Sequence, residues 1–478
     1  MNFSELYTNN KRDVEKKIAV LWGGEANTES QRAQVEKLKE EIGNIFAPEE
    51  AVPVVQCMNS YKSVHSVSAD TAKAVVGSLW TSDFNPYEHQ YQCWNTLLNE
   101  TEPFTGKPMS ICVTTGTGSG KTECFMMPLV YDLATNYQSG QIQAIFLYPL
   151  NALMEDQKER LEKMLDNIEK STGKKLTYTV YNGDLPDDVP SKSDNSDEAE
   201  RTRRKIQMIR GLITDGQGRA LDQNGNPTTN EDEFTYKYPR MVYTRKDVRR
   251  KDAAPNILLT NPTMLEYILL RKSDEHLIDP KKQSLRWVAI DETHTYTGAG
   301  AAELAMLLRR VMLAFGMDAK DVRFATSSAT FANKEECEGD DSEEKALKTF
   351  ISELTGTSIP QVKVVDGIRE GEELLTPECP LPEADKAVWR NICKADYVEL
   401  DKLFPEGKVA DKLRQLDEMC QRIEELYAQD VEKYGKEHAK ILMKCKVHYF
   451  YRVPNNGMYV RLNEFQNGAF KVYTQKPI

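Results

Sequence analysis

The 478-residue sequence has no unbroken apolar run of the ~18 residues that a membrane helix needs, so no membrane span is expected. Its first residues, MNFSELYTNNKRDVEKKIAVLW, contain no apolar core of the kind a secretory signal requires. There are nine cysteines but no Cys-x-x-Cys, and Cys445 with His448 has no second ligand pair beside it. That argues against a zinc module and a disulfide framework, and points to reduced thiols in a cytoplasmic protein. Positive charge is not in excess either: 62 Lys and Arg against 74 Asp and Glu give −12. A polybasic coat for nucleic acid is therefore not expected, although a local basic groove on an acidic enzyme stays possible. No internal repeat is apparent.

The length fits roughly two to four domains, and 40% hydrophobic with 28% charged residues is ordinary for a globular chain. The first 80 residues read as charged and helical, as in 31–46, QRAQVEKLKEEIGNIF. From 110 to 330 short apolar runs alternate with helical stretches: ICVTT (111–115), AIFLY (144–148), LTYTVY (176–181), NILLT (256–260), WVAI (287–290) and RFATS (323–327). Such runs predict a parallel sheet covered by helices on both faces, an α/β fold. Between Pro186 and Pro255 the pattern breaks down, and an inserted, partly flexible segment with one basic helix is expected. A calcium loop at Asp222, Asn224, Asn226 and Glu233 fails because Pro227 stands where the turn needs glycine. Residues 335–344 read as an acidic loop and 384–445 as helical. The expected division is a helical extension (1–80), an α/β domain (81–367, insert about 186–254) and a helical region (368–478).

The segment TTGTGSGKTE (114–123) follows the strand ICVTT and opens an apolar helix, the context that makes a phosphate-binding loop meaningful. Glycines 116, 118 and 120 let backbone N–H groups turn onto phosphate oxygens. Thr115, Gly116, Thr117, Gly118, Ser119, Gly120, Lys121 and Thr122 are the candidate ATP-binding residues. Lys121 supplies a point charge for the β- and γ-phosphates and Thr122 a hydroxyl for Mg²⁺. Thr115 stands where the strict pattern has its first glycine, but the form Thr-Gly-x-Gly-Lys-Thr is intact.

About 170 residues on, VAIDETHTYTG (288–298) puts adjacent carboxylates at a strand end. With a phosphate loop upstream, Asp291 is the expected Mg²⁺ ligand. Glu292 is placed to orient and deprotonate an attacking water, and His294 to sense the γ-phosphate. ATP and Mg²⁺ are the cofactors this pattern calls for.

These residues resemble the superfamily 2 helicases of the DEAD/DEAH type, in the family's order. YEHQ (87–90) is similar to the adenine-recognising Gln motif, with Gln90 as the reader and Gln92 as its competitor. Residues 115–122 are similar to motif I. YPLNALMEDQ (148–157) and LTNPTML (259–265) resemble motifs Ia and Ib, which implies that Pro149, Asn151, Thr260 and Asn261 touch a nucleic-acid backbone. DETH departs from DEAH only at Thr293. TSSAT (326–330) resembles motif III, which implies coupling by Ser328, Ala329 and Thr330. More narrowly, NILLTNPTMLEYILLR (256–271) and VAIDETHTYTGAGAAELAMLLRR (288–310) resemble the large bacterial helicases of the mitomycin-repair and Druantia- or DISARM-type anti-phage groups.

The resemblance implies a RecA-like lobe and an ATP-dependent helicase or translocase acting on nucleic acid, with DNA favoured over RNA. It also implies a second lobe with arginine fingers, whose motifs do not follow Thr330. The expectation is the front part of a larger enzyme, hydrolysing ATP poorly alone and partnered by a second RecA-like lobe. A nucleic-acid-stimulated ATPase switch that unwinds nothing, or an inactive ATP-binding remnant, are the alternatives. Two basic clusters, 201–210 and 245–251, are candidates for phosphate contacts without sequence preference.

Overall fold

The computed structural model describes residues 33, 37, 51–63, 75–79, 85–116, 118–328, 340–394, 397–436, 439, 442–452, 459–466 and 469–473. Ala33 and Lys37 are helical, and the rest of the helix expected at 31–46 lies outside the described residues. In chain order the principal elements are strand β1 (Ala51–Cys57), helix α1 (Glu88–Asn99), β2 (Ser110–Val113), α2 (Lys121–Thr135), β3 (Ala144–Leu147), α3 (Asn151–Thr172) and β4 (Tyr178–Tyr181). Next come α4 (Asp197–Ile209), β5 (Ile257–Thr260), α5 (Pro262–Leu270), β6 (Trp287–Ile290), α6 (Gly298–Ala314), β7 (Arg323–Ser327), α7 (Asp340–Thr355) and β8 (Val362–Val365). They finish with α8 (Glu383–Lys394), β9 (Val398–Glu399), α9 (Val409–Tyr434), β10 (Cys445–Arg452), β11 (Tyr459–Gln466) and β12 (Ala469–Tyr473). None of the described helices is long and apolar enough to cross a membrane.

Residues 63–366 form one unit around a seven-stranded sheet in the order β4-β5-β3-β6-β7-β2-β8. Every pairing in it is parallel. Alternate residues serve opposite faces. Phe146, Leu259 and Ala289 pack with Trp94 of α1, Phe125 of α2 and Leu161 of α3. Leu147, Leu258, Val288 and Ile290 pack with Leu265 of α5 and Leu308 of α6. Four-residue strands buried throughout are what a parallel sheet with two covered faces requires. The fold is the parallel α/β arrangement expected, and the six strands expected from the sequence are all present. β8 was not expected. Its VKVV lies at the sheet edge, half-exposed in the middle, and too short to stand out.

The insert is folded onto α3, contrary to the expectation of a partly flexible segment. The guanidinium of Arg210 stacks 3.5 Å from the ring centre of Tyr236 and 4.4 Å from that of Tyr243. Buried Lys158 of α3 donates to Ile209 O (3.1 Å) and lies over Tyr238. Arg240 donates to three carboxylates on one face of α3, Glu162 (2.7 Å), Asp166 (2.8 Å) and Glu169 (2.8 Å). Cation–carboxylate and cation–π contacts of this sort bind a polar segment without an apolar core of its own, which is why composition misled.

The other unit comprises residues 1–62 and 367–478. Its sheet has the order β12-β11-β10-β1-β9, with β1 antiparallel to both neighbours. The helices expected within 384–445 are present as α8 and α9, and α9 buries Leu413, Leu416, Met419 and Ile423 on one stripe. Trp389 of α8 donates from Nε1 to Gly371 O (2.9 Å). The expected division is corrected here. Residues 51–57 are a strand and not part of a helical extension, and 445–473 add three more strands to what was read as a helical region. The cause is range: Gln56 and His448, bonded across β1 and β10 at 2.7 Å, are 392 residues apart, and local periodicity carries no word of so distant a partner.

Replacing Arg240 by Met strands the buried Glu162 carboxylate without its cation, which costs about 3–5 kcal/mol. Limited trypsin digestion of R240M is expected to cut within the Arg201–Arg204 stretch well before wild type, and its melting temperature to fall. Wild-type resistance would show that the stacking around Arg210 holds the insert by itself.

Candidate active site

Because the seven strands point one way, the loops leaving β2, β3, β5, β6 and β7 open at one edge of the sheet. The loop after β2 turns on Gly118 (φ 77°) and Gly120 (φ 72°), both in the left-handed region. A Cβ on Gly120 would stand 2.3 Å from Gln90 Nε2. Buried Thr115 and Ser119 share a hydroxyl–hydroxyl bond of 2.6 Å across the base of the loop, so the threonine in place of glycine serves as a clasp.

Helix α1 braces the loop from behind. His89 Nε2 donates to Ser119 O at 2.8 Å, which makes the neutral ring the Nε2–H tautomer. Gln90 Oε1 accepts from Tyr87 N–H (3.1 Å), while its Nε2 donates to Gly120 O (3.3 Å). Trp94 Nε1 donates to Glu123 O (2.9 Å). Burial holds the His89 imidazole down at about 4, and the bond to the Ser119 carbonyl offsets this only in part.

Across the edge, Asp291 N–H donates to Leu147 O (3.0 Å) as β6 ends. Its Oδ1 accepts from Ser327 Oγ and from Glu292 N–H (3.1 Å), which leaves Oδ2 with no partner among the described residues. Glu292 sits at φ 50°, ψ 47°, a left-handed conformation a non-glycine residue adopts at a cost of about 1–3 kcal/mol. Its N–H also reaches Ser327 Oγ (3.2 Å), and its Oε2 lies 3.3 Å from His294 Nδ1.

These pieces meet in a cleft of about 690 Å³ lined by Tyr87, Gln90, Gly118, Lys121, Thr122, Asp291 and Glu292, among others. Lys121 Nζ is buried there with no hydrogen-bond partner. A desolvated cation beside two left-handed glycines suits a polyphosphate. Asp291, pinned through one oxygen with the other open, and the Thr122 hydroxyl suit Mg²⁺, a hard cation that takes one or two protein oxygens and keeps its remaining shell for phosphate and water.

The structure thus brings Gln90, Gly118, Gly120, Lys121, Thr122, Asp291 and Glu292 into one cleft, with Thr115, Ser119 and His294 beside it. Thr117, Ala329 and Thr330 lie outside the described residues. Three placements differ in detail from the expectation. Both ends of the Gln90 amide are engaged by Tyr87 and the loop, so reading an adenine edge would require it to leave Gly120. The competitor Gln92 is on the exposed side of α1, outside the cleft. Thr260 is fully buried with its hydroxyl on Tyr181 O (2.7 Å), which leaves no side-chain atom for a nucleic-acid strand. Asn151 and Asn261 are joined by a 3.0 Å amide bond at the same strand-end edge, and Pro149 is half-buried next to them.

Sequence reasoning missed Ser327, which bonds both halves of the Asp291–Glu292 pair, and it missed Glu123, Gln157 and Arg160, which line the cleft. Only the spacing of Gln157 and Arg160, one turn apart on α3, offered a signal. In the basic clusters, Arg203 is spent on Ser191 O and Asp194 O, Arg245 is buried against Leu185 O and Asn182 O, and Arg249 is bonded to Asp274. Arg245 and Arg249 are therefore structural.

Residues 87–212 match the DEAD/DEAH box helicase family. The Druantia protein DruE of Escherichia coli (strain UMEA 4076-1) is 28% identical over 342 residues, covering 60% of this chain and 18% of that protein. The uncharacterized ATP-dependent helicase YprA of Bacillus subtilis (strain 168) is 24% identical over 250 residues, covering 52% of this chain and 23% of that protein. The chain thus spans about a fifth of the length of these relatives. Among solved structures, that of the DUF1998 helicase MrfA bound to DNA aligns with 66% of this chain and 30% of its own at 21% identity, with a TM-score of 0.36.

His89 stays neutral in the folded chain until pH nears 4, whereas an unfolded chain protonates its histidine near 6.5. The unfolded state therefore binds the extra proton first, so the stability given by the neutral ring is complete above 6.5 and falls as pH drops toward 4. Thermal denaturation between about pH 7 and about pH 4.5 is expected to show a steeper loss for wild type than for His89→Gln. Parallel curves would remove His89 as the source.

Proposed function

We propose that this chain, which carries a DEAD/DEAH box helicase domain, binds ATP with Mg²⁺ in the 690 Å³ cleft and couples its hydrolysis to a nucleic-acid strand held at the adjoining loops. The observation that carries the reading is the convergence of an unpartnered buried Lys121 Nζ, a half-pinned Asp291 and a strained Glu292 in one cleft. The phosphates lie on the loop amides and Lys121. Thr122 and Asp291 would hold Mg²⁺, which would supply positive charge to offset that of the phosphates. Glu292 accepts a proton from the attacking water, with its backbone held by Ser327 and its carboxylate beside His294. Tyr87 offers its ring to the adenine. The Asn151–Asn261 pair offers amide groups to the strand backbone, and Ser327 ties the end of β7 to the Asp291–Glu292 pair.

No arginine finger is assigned from this unit, and such a group is typically worth ~10³–10⁵ in turnover. Efficient hydrolysis and any strand separation are therefore assigned to this lobe acting with a second RecA-like lobe, as in a helicase or translocase.

The test is ATP hydrolysis with and without single-stranded DNA or RNA, beside Glu292→Gln and Lys121→Ala. Slow turnover that E292Q lowers by about 10²–10⁴, with nucleotide binding kept, is expected, together with loss of binding in K121A. Turnover indifferent to E292Q would sink the hydrolytic reading.

A further inference from the structure

Among the described residues, three polar atoms of the cleft are buried without a hydrogen-bond partner: Lys121 Nζ, Glu123 Oε2 and Gln157 Oε1. Unsatisfied buried polar atoms are uncommon in folded chains, and several at one place indicate polar company to come. Lys121, Glu123 and Gln157 line the same cleft as Asp291, and so does Arg160.

Among the described residues Arg160 makes a single hydrogen bond, Nη1 to Glu123 Oε1 at 2.9 Å, and its side chain is half exposed. A guanidinium carries five N–H donors, so most of its capacity is unspent. Glu123 directly follows Thr122 in α2, so this contact parks the cation at the start of the helix that Lys121 and Thr122 open. An exposed arginine–glutamate pair contributes little to stability and separates readily. A terminal phosphate with several charged oxygens is the stronger acceptor, and the guanidinium fork suits it. A nucleoside diphosphate offers nothing at that position.

Resting on the ATP-binding reading above, we propose that Arg160 is a γ-phosphate contact built into this lobe. It rests on Glu123 without a triphosphate and moves to the γ-phosphate when one is bound, so that the site tells ATP from ADP without a group from another domain. No bond is made or broken in the exchange. Gln157, one turn earlier on α3, presents its free Oε1 beside it.

The experiment compares fluorescent methylanthraniloyl derivatives of AMPPNP and ADP, with Mg²⁺, binding to wild type, Arg160→Ala, Arg160→Lys and Glu123→Gln. R160A is expected to weaken the triphosphate about ten-fold or more and to leave ADP within about two-fold, the loss of a charge-assisted contact. R160K recovers part of the triphosphate affinity, and E123Q raises it by releasing the cation. Equal loss of both nucleotides in R160A would mean that Arg160 only ties α2 to α3, and no loss of either would mean that it faces solvent; each result overturns the proposal. Wild type that binds neither nucleotide would instead overturn the ATP-site reading itself.

Discussion

The site depends on the common direction of seven strands. A parallel sheet sends every strand's carboxyl end to one edge, and it buries both faces, so the strand-end loops are the places where polar groups can gather. Strand order then chooses which loops meet. β7 lies between β6 and β2, and its last residue, Ser327, is in register beside both Val113 and the end of β6. From that place it bonds the Asp291 carboxylate and the Glu292 amide. An order that separated β6, β7 and β2 would part the loop after β2 from the acids.

The loop is built as a rigid object before any ligand is considered. Its inward groups are engaged: Ser119 by His89 and Thr115, Gly120 by Gln90, and the first turn of α2 by Trp94 through Glu123. The burial that lowers the His89 imidazole also guarantees that the ring is neutral, with its donor toward the Ser119 carbonyl. Such pre-ordering means that little conformational entropy remains to be lost when a phosphate arrives. The strain at Glu292 belongs to the same design, because the left-handed backbone aims its carboxylate into the cleft.

Helix α3 starts at Asn151, bonded to Asn261, and its next turns present Gln157 and Arg160 to the cleft. Its far side receives Arg240 and carries the insert. One helix of 22 residues therefore joins the strand-end edge, the cleft and the insert.

The sequence by itself determined the α/β class and six of the seven parallel strands, and it singled out the loop and the paired acids that the sheet brings to one edge. These are local matters: a glycine pattern that permits left-handed turns, a lysine and threonine opening a helix, and two carboxylates at a strand end. Family likeness also singled out Asn151 and Asn261, as nucleic-acid contacts, but not that they meet. Only the tertiary structure decided the rest. That residues 51–57 pair with 445–451, that Gln90 grips Gly120, that Thr260 is internal, and that Ser327 and Arg160 face the cleft are all consequences of contacts between residues far apart in the chain. Side chains bonded across such distances carry no periodic signal, because strand order and the packing of helices over the sheet set their partners.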